Sequence, residues 1–394
     1  MKKIAILTTS RADWGYLEPL VKRMATDDRF KVHVLIAGSH WSGRHGYTAK
    51  PVADSIPPSV DYICLANMSV PQKGPANQVP MCADVLTWVA QSMRIMDALV
   101  VFGDRGEMLA GAMAAAYARV PIVHLHGGEN TPGGNFDDYC RHAISKFANY
   151  HCVTDQDCAD NLIHNLGEEP WRVHVVGNMA WWRFDDAYQR PRHKVLRGFG
   201  MQGRNYTDDN GHNAFEGDTF AILAYHSETS RASDTAKDFA AILGALESTY
   251  VTSSRRVIAV GPNIDEGSEA IFEGIKDTPG VYFHPSIPED DFAELLCQAD
   301  FIIGNSSSGV LEAHLVGTPA INIGQRQLGR NTGRPNIINC GHSQAEVADA
   351  IRHAMSLSRY DLHQSRPANP HDTVGAIVDV LATVDKSDRT FRKK

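Results

Sequence analysis

The stretch ALVVFGDRGEMLAGAMAAAYARVPIVHLHGGENTPGGNFDDYCRHAISK, Ala98 to Lys146, decides the fold. Leu99 to Phe102 is an apolar run closed by the turn Gly103-Asp104-Arg105-Gly106. Met108, Leu109, Ala112, Met113 and Ala116 then recur on one face of a helix. Pro121 to Leu125 is a second buried strand that runs straight into His126-Gly127-Gly128-Glu129. After a loop of glycine and proline, Asp137-Asp138 opens another helix, with Arg141 and His142 one turn on. Alternating strand and helix imply a parallel sheet, whose strand ends point to one edge, where ligands bind. Asp104 and Glu129 therefore share that edge. A carboxylate at a helix start is an ordinary cap, and for Asp137 that reading stands level with a ligand role. Three acids converging beside Arg105 and Arg141 exceed what a cap requires, so Asp104 and Glu129 are read as functional.

Upstream, Lys3 to Thr8 is an opening strand, followed by the turn Thr9 to Gly15 and a helix with Leu17, Leu20, Val21 and Met24 on one face. Pro19 is expected in that helix's first turn. The start is of doubly wound type but has no G-x-G-x-x-G, which removes the dinucleotide fingerprint. Arg11, at the strand's carboxyl end, can meet an anion, though a surface loop arginine is an equal reading. Val32 to Ala37 is the second strand and ends in Gly38-Ser39-His40. Residues 55 to 80 carry five prolines and read as loop around a short strand near Tyr62. Downstream, Tyr150 to Thr154 and Val173 to Val176 close a first domain of residues 1–178.

Gly177 to Arg192 reads as a linker, and the polar residues 200 to 218 as a mobile loop without an element. A second series of strands follows, at Phe220 to Ala224, Val257 to Val260, Val281 to Phe283, Phe301 to Ile303 and Ala320 to Ile323. Residues 193–372 thus form a second domain, and Thr373 to Val384 a final helix within 373–394 that crosses back to the first. The expected fold class is α/β, with two Rossmann-like domains facing across a cleft.

The second series carries its own edge motifs. Gly304-Asn305-Ser306-Ser307-Ser308-Gly309 lies between a strand and a helix through Leu311, Glu312 and Leu315. Free backbone N–H groups and a helix dipole suit an anion there, and the serine hydroxyls add donors. Glu312 can accept from sugar hydroxyls, and Arg326 and Arg330, past the next strand, can neutralise a diphosphate. Gly261-Pro262-Asn263 also ends a strand. His226 sits at the matching edge position and can titrate near neutral pH; a lone histidine is more often structural, but this one lies on the expected ligand edge.

At 394 residues the chain exceeds one ordinary α/β core and suits two. A formal net charge of −8 argues against nucleic acid or anionic membrane as partner. No apolar run is long enough to span a membrane, and Lys2-Lys3 leads into a strand rather than a signal peptide. Seven scattered cysteines without CxxC point to reduced thiols and a cytoplasmic setting. The 18 histidines form no HExxH or comparable set, so neither a metal nor another cofactor is expected. The basic end, Arg389 to Lys394, reads as a short solvated tail.

The chain resembles the hydrolysing UDP-N-acetylglucosamine 2-epimerases of sialic-acid-type sugar biosynthesis. The resemblance is carried by SRADWG at Ser10, FGDR at Phe102, HGGE at His126, DDYCRHAISK at Asp137, PNID at Pro262, GNSSSGVLEA at Gly304 and GQRQLGR at Gly324. It implies a glycosyltransferase-B-like fold, with UDP held mainly by the C-terminal domain. It places Ser306, Ser307 and Arg326 on the diphosphate, with Ser308, Gly309 and Arg330 in the same turns. It puts Glu312 on the ribose, Phe292 near the uracil, and Asn263 among the substrate contacts. Asp104, Glu129, Asp137 and His226 match catalytic positions, while Arg11, His40 and Arg105 match cleft positions. Ser227 stands where the family usually carries proline. The implied partner is a UDP-acetamido sugar, and the implied assembly a homodimer or homotetramer. A rival enzyme that keeps UDP on its product, a glycosyltransferase on the same architecture, and a nucleotide-sugar-binding protein without turnover remain alternatives.

Overall fold

Strands that are apolar at successive positions belong in a parallel sheet covered on both faces, and the computed structural model of the chain contains two such sheets. It describes residues 1–42, 47–65, 78–130, 136–182, 184, 199, 203–207, 213–217, 219–262, 267–276, 278–330, 333–364 and 372–393. The first sheet has seven strands: β1 (Lys2–Thr8), β2 (Phe30–Ile36), β3 (Asp61–Cys64), β4 (Ala98–Phe102), β5 (Ile122–Leu125), β6 (Tyr150–Val153) and β7 (Val173–Val175). They lie in the order β3-β2-β1-β4-β5-β6-β7, all neighbours parallel, with Ile4 opposite both Val32 and Ala98. Its helices are α1 (Arg11–Met24), α2 (Ala49–Ser55), α3 (Gln78–Ser92), α4 (Gly106–Tyr117), α5 (Phe136–Phe147) and α6 (Gln156–Asp160).

Alternate side chains of these strands divide between two apolar layers. Ile4, Ile6, Val32, Val34, Val100 and Val123 pack with Trp14, Leu17, Leu20 and Val21 of α1. Ala5, Leu7, Leu35, Leu99 and Val101 pack with Met81, Val85 and Val89 of α3 and with Met108 and Ala112 of α4. Truncating one of these large buried side chains to alanine would cost about 2–5 kcal/mol.

Helix α1 begins earlier than its apolar pattern suggests. Ser10 and Asp13 form a reciprocal capping box, so Pro19 lies inside the helix and not in its first turn. Residues 200–218 also depart from the loop reading. Gly203–Thr207 (β8) and Asn213–Gly217 (β9) pair as an antiparallel ladder from Gly203↔Gly217 to Thr207↔Asn213. Asn210-Gly211 lies between them, a dipeptide suited to hairpin turns, and composition alone hid that signal.

The second sheet holds β10 (Thr219–Ala224), β11 (Arg255–Val260), β12 (Val281–His284), β13 (Ile302–Gly304), β14 (Ala320–Ile323) and β15 (Ile337–Cys340), in the order β12-β11-β10-β13-β14-β15. Its helices are α7 (Thr235–Thr249), α8 (Ser268–Ile275), α9 (Glu289–Gln298), α10 (Ser307–Leu311), α11 (Gln344–Ser356) and α12 (Arg359–Gln364). Strand β15 and helix α11 extend the sequence reading, which ended the sheet at β14. Val347, Ile351 and Ala354 of α11 close the core over Phe239, Ile242 and Leu246 of α7.

The chain divides into two units, Met1–Asn130 with Asn135–Met179 and Pro370–Lys394, and Ala180–Asn369. In the first unit, α13 (Thr373–Thr383) buries Ile377, Val378 and Leu381 against α1 and β1. The segment after it, with α14 (Asp388–Phe391), is docked rather than solvated. Arg172, fully buried, donates to the carbonyls of Arg389, Thr390 and Arg392. Lys393 reaches Glu168 at 2.8 Å and the carbonyls of Ser145 and Lys146 at the end of α5. A basic tail reads as solvated only while its partners, Glu168 and the last carbonyls of a helix, are out of view. Among the described residues, no helix is long and apolar enough to cross a membrane.

Candidate active site

In each sheet the strand order reverses beside that sheet's first strand, at β1/β4 and at β10/β13. Ligands of open parallel sheets bind at that switch, outside the carboxyl ends of the strands. The candidate residues collect there in both units.

In the first unit, β4 ends in Gly103, Asp104 and Arg105, β5 ends in His126 to Glu129, and α5 opens with Asp137 and Asp138. Arg141, one turn into α5, is almost wholly buried and gathers them. Its guanidinium pairs with Asp104, donates to Asp138 at 2.7 Å, and reaches the Glu129 carbonyl at 3.3 Å. Arg105 pairs with buried Glu107 at 3.1 Å. The charges of Glu107, Asp13 and Asp137 outweigh burial and raise its pKa, so it stays cationic. Asp104, Glu129 and Asp137 thus occupy one edge, built on two fixed cations.

The turn after β1 adds Arg11 as the first residue of α1. Asp13 is buried and receives the backbone N–H groups of Thr9 and Ser10 and the hydroxyls of Thr8, Thr9 and Ser10. His40 is fully buried, its ring nitrogens 2.9 Å and 2.8 Å from the Thr8 and Thr48 hydroxyls. Burial first, then the charges of Arg105 and Arg11, push its pKa down to about 3. It is a neutral support of this edge.

His124 on β5 ties the same edge together. Its Nε2 lies 2.7 Å from the Gly103 carbonyl, which can only accept, so Nε2 carries the proton and Nδ1 accepts from Ser145 Oγ of α5 at 3.1 Å. His126 has φ +58°, a left-handed backbone, and its ring packs against the rings of Phe102 and Tyr16.

In the second unit, β13 ends at Gly304, whose φ of +138° lets its backbone lie against Ala224; a Cβ there would collide with the Ala224 carbonyl. Ser306 caps α10 by accepting from Ser308 N–H. That helix spans only Ser307–Leu311, and a tighter turn at Ala313–Leu315 replaces the longer helix expected from the spacing. Ser307, Ser308 and Gly309 are half-buried in α10, and Glu312 is buried just beyond it.

Buried Asn305 joins the neighbouring turns. Its side chain accepts from His226 N–H at 2.7 Å and donates to the His226 carbonyl at 2.8 Å. Its own carbonyl accepts from Arg326 at 3.2 Å and Gln327 at 2.8 Å. The structure brings His226, Ser306 and Arg326 to one edge in this way, with Arg330 bonded to Gln327. Phe292 lies on α9 of the same unit, half-buried. Asn263 lies outside the described residues.

The expected titration of His226 is corrected. Burial, reinforced by the charge of Arg326, drives its pKa well below 6.5, so the imidazole is neutral at physiological pH. Sequence reasoning set Arg141 beside the acids without a role of its own, and did not assign His124, Asn305 or Glu228 to the site. Arg141 stands one helical turn after two acids, a spacing that carried part of the signal.

The sequence profile of the family described as "UDP-N-acetylglucosamine 2-epimerase" matches residues 22–382. The UDP-N-acetylglucosamine 2-epimerase of Neisseria meningitidis serogroup B is 29% identical over 365 residues, covering 92% of this chain and 89% of that protein. The UDP-N,N'-diacetylbacillosamine 2-epimerase (hydrolyzing) of Legionella pneumophila is 29% identical over 368 residues, covering 90% and 89%. The crystal structure of the UDP-GlcNAc 2-epimerase from Neisseria meningitidis bound to UDP-GlcNAc superposes with a TM-score of 0.75 at 15% identity, over 97% of this chain and 99% of that one. The likeness spans both units, and the fold is glycosyltransferase-B-like.

Proposed function

The chain belongs to the UDP-N-acetylglucosamine 2-epimerase family, and from that membership we propose that it is the hydrolysing kind, releasing UDP and a free 2-epimerised acetamido sugar. The observation that carries the C2 chemistry, common to both kinds of epimerase, is the cluster of Asp104, Glu129 and Asp137 at the first unit's switch point, with Arg141 buried among its acids. Holding UDP needs the turns of the second unit; it does not need three carboxylates in the first.

The reaction begins when a carboxylate removes the C2 proton of UDP-N-acetylglucosamine, or of a close UDP-acetamido sugar. The C1–O bond to UDP breaks in the anti sense, giving a 2-acetamidoglucal. Water then adds at C1 and a proton returns to C2 from the opposite face, which yields N-acetylmannosamine or its analogue. The step requires a positioned base, a positioned acid and cations for the departing diphosphate. Asp104, Glu129 and Asp137 supply the first two, and Arg326 with the Ser306 turn supplies the third. Neutral His226 serves as a hydrogen-bonding partner, not as a charged acid.

The HGGE at His126 and the RADWG at Arg11 support the hydrolysing branch, as does the likeness to the hydrolysing enzyme of Legionella. The Neisseria relative, whose name carries no such word, is equally identical and favours a second reading in which UDP stays on the product. Proton NMR of the protein with UDP-N-acetylglucosamine in D2O separates them. The proposal expects free UDP and C2-deuterated N-acetylmannosamine. Deuterated UDP-N-acetylmannosamine would establish the second reading, and a sugar transferred without C2 exchange would point to a glycosyltransferase.

A further inference from the structure

We propose that Glu228 and His342 form a proton-linked clamp on the turn that carries Arg326, so that binding of a nucleoside diphosphate to the second unit draws in a proton. The inference rests on the reading of Arg326 and the Ser306 turn as the diphosphate site.

Glu228 is buried just past the end of β10, two residues beyond His226. Its Oε1 accepts the backbone N–H of Gln325 at 3.1 Å, and its carboxylate also takes the N–H of Arg326. The turn after β14 is therefore held by a carboxylate from a different strand. His342, past the end of β15, brings Nε2 to 3.5 Å from the same Glu228 oxygen and 3.8 Å from Asp238 of α7. Gly324 makes this approach possible. Its φ is +75°, and a Cβ on it would overlap both the Glu228 carboxylate and the His342 ring.

Acids outnumber cations around this point, and a proton on His342 offsets one of their charges. Glu228 and Asp238 are buried acids, and Arg231 reaches Asp238 at 3.1 Å and Asp234 at 3.3 Å. Glu346 of α11, exposed, adds a further negative charge toward His342. His226 is held neutral and contributes none. The Glu228 carboxylate 3.5 Å away, with the charge of Asp238, raises the His342 pKa above 6.5 against burial and Arg231. Burial works to raise the Glu228 pKa, but His342 and the backbone N–H groups outweigh it, so Glu228 stays a carboxylate.

With His342 neutral, the clamp sets an uncompensated negative charge beside the residue that must receive an anion. With His342 protonated, that charge is offset. Linkage is reciprocal: a proton on His342 strengthens diphosphate binding, and bound diphosphate strengthens the hold on the proton. The effect is full below the His342 pKa and is lost as pH rises through it.

The test is calorimetric titration of UDP into the full-length protein from about pH 6 to 8.5, in buffers of different ionisation enthalpy. It compares wild type with His342→Gln, His342→Lys and Glu228→Gln. UDP's own ionisation enters all four titrations alike. Wild type is expected to lose affinity about five- to tenfold more steeply across the range than His342→Gln, and to take up more protons on binding. His342→Lys keeps its charge and is expected to retain tight binding at the alkaline end. Glu228→Gln is expected to flatten the profile; should it not fold, the two His342 variants carry the test. A His342→Gln variant with the wild-type profile and proton uptake would overturn the clamp while leaving the UDP site standing. A wild-type protein that binds no UDP would overturn both.

Discussion

At the end of β4 a guanidinium, Arg141, is buried among carboxylates; at the end of β13 an amide, Asn305, is buried among backbone groups. Both sit at a switch point and both lace neighbouring turns together. The first arrangement fixes acids around a buried cation, which suits groups that must move protons. The second fixes backbone N–H groups and Arg326 around a neutral amide, which suits a site that receives an anion and lets it go. Two copies of one architecture have thus been furnished for different work, and each can be broken separately.

The largest effect is expected for Arg141→Met. Removing the guanidinium leaves Asp104 and Asp138 without their cation and costs about 3–5 kcal/mol, to be read from urea unfolding, together with loss of C2 proton exchange. Asn305→Ala acts on the other unit. It removes two hydrogen bonds to His226 and costs about 1–3 kcal/mol, and weaker UDP affinity should account for most of its kinetic effect.

A third expectation concerns pH. Burial works to raise the Glu168 pKa, but hydrogen bonds from His151, Lys393 and Lys146 outweigh it and hold the group at about 2, against an ordinary 4.5. A depressed folded pKa gives stability that is present above 4.5 and lost as pH falls from 4.5 toward about 2. Calorimetric melting over that range should show a steeper acid loss in wild type than in Glu168→Gln, whose remaining slope reports the other acids. The smallest effect is expected for His40→Gln. Because His40 is neutral down to about pH 3, the pH–rate profile between about pH 5 and 8 should keep its shape.

The sheets were legible because each strand is a continuous apolar run and each edge turn carries glycine beside charge. Asp104, Glu129, Ser306 and Arg326 could be found because they directly follow such runs. Arg141 was seen beside the acids but its pairing with Asp104 was not, and Asn305 and Glu228 were harder to find, since each is defined by partners distant in sequence: Asn305 by His226 and Arg326, Glu228 by Gln325 and His342. The docked tail was hidden for the same reason, with Arg172 more than 200 residues from the carbonyls it binds. The hairpin β8–β9 was missed because polar composition outweighed an Asn-Gly turn signal.

The division of labour between the units is tested most directly with Asp104→Asn, by measuring C2 proton exchange of UDP-N-acetylglucosamine in D2O alongside UDP affinity on the same preparation. Exchange is expected to fall by about 10²–10⁴-fold while UDP binds almost as in wild type. Normal exchange in the variant would contradict the catalytic assignment, and a matching collapse of UDP affinity would contradict the separation of chemistry from diphosphate binding.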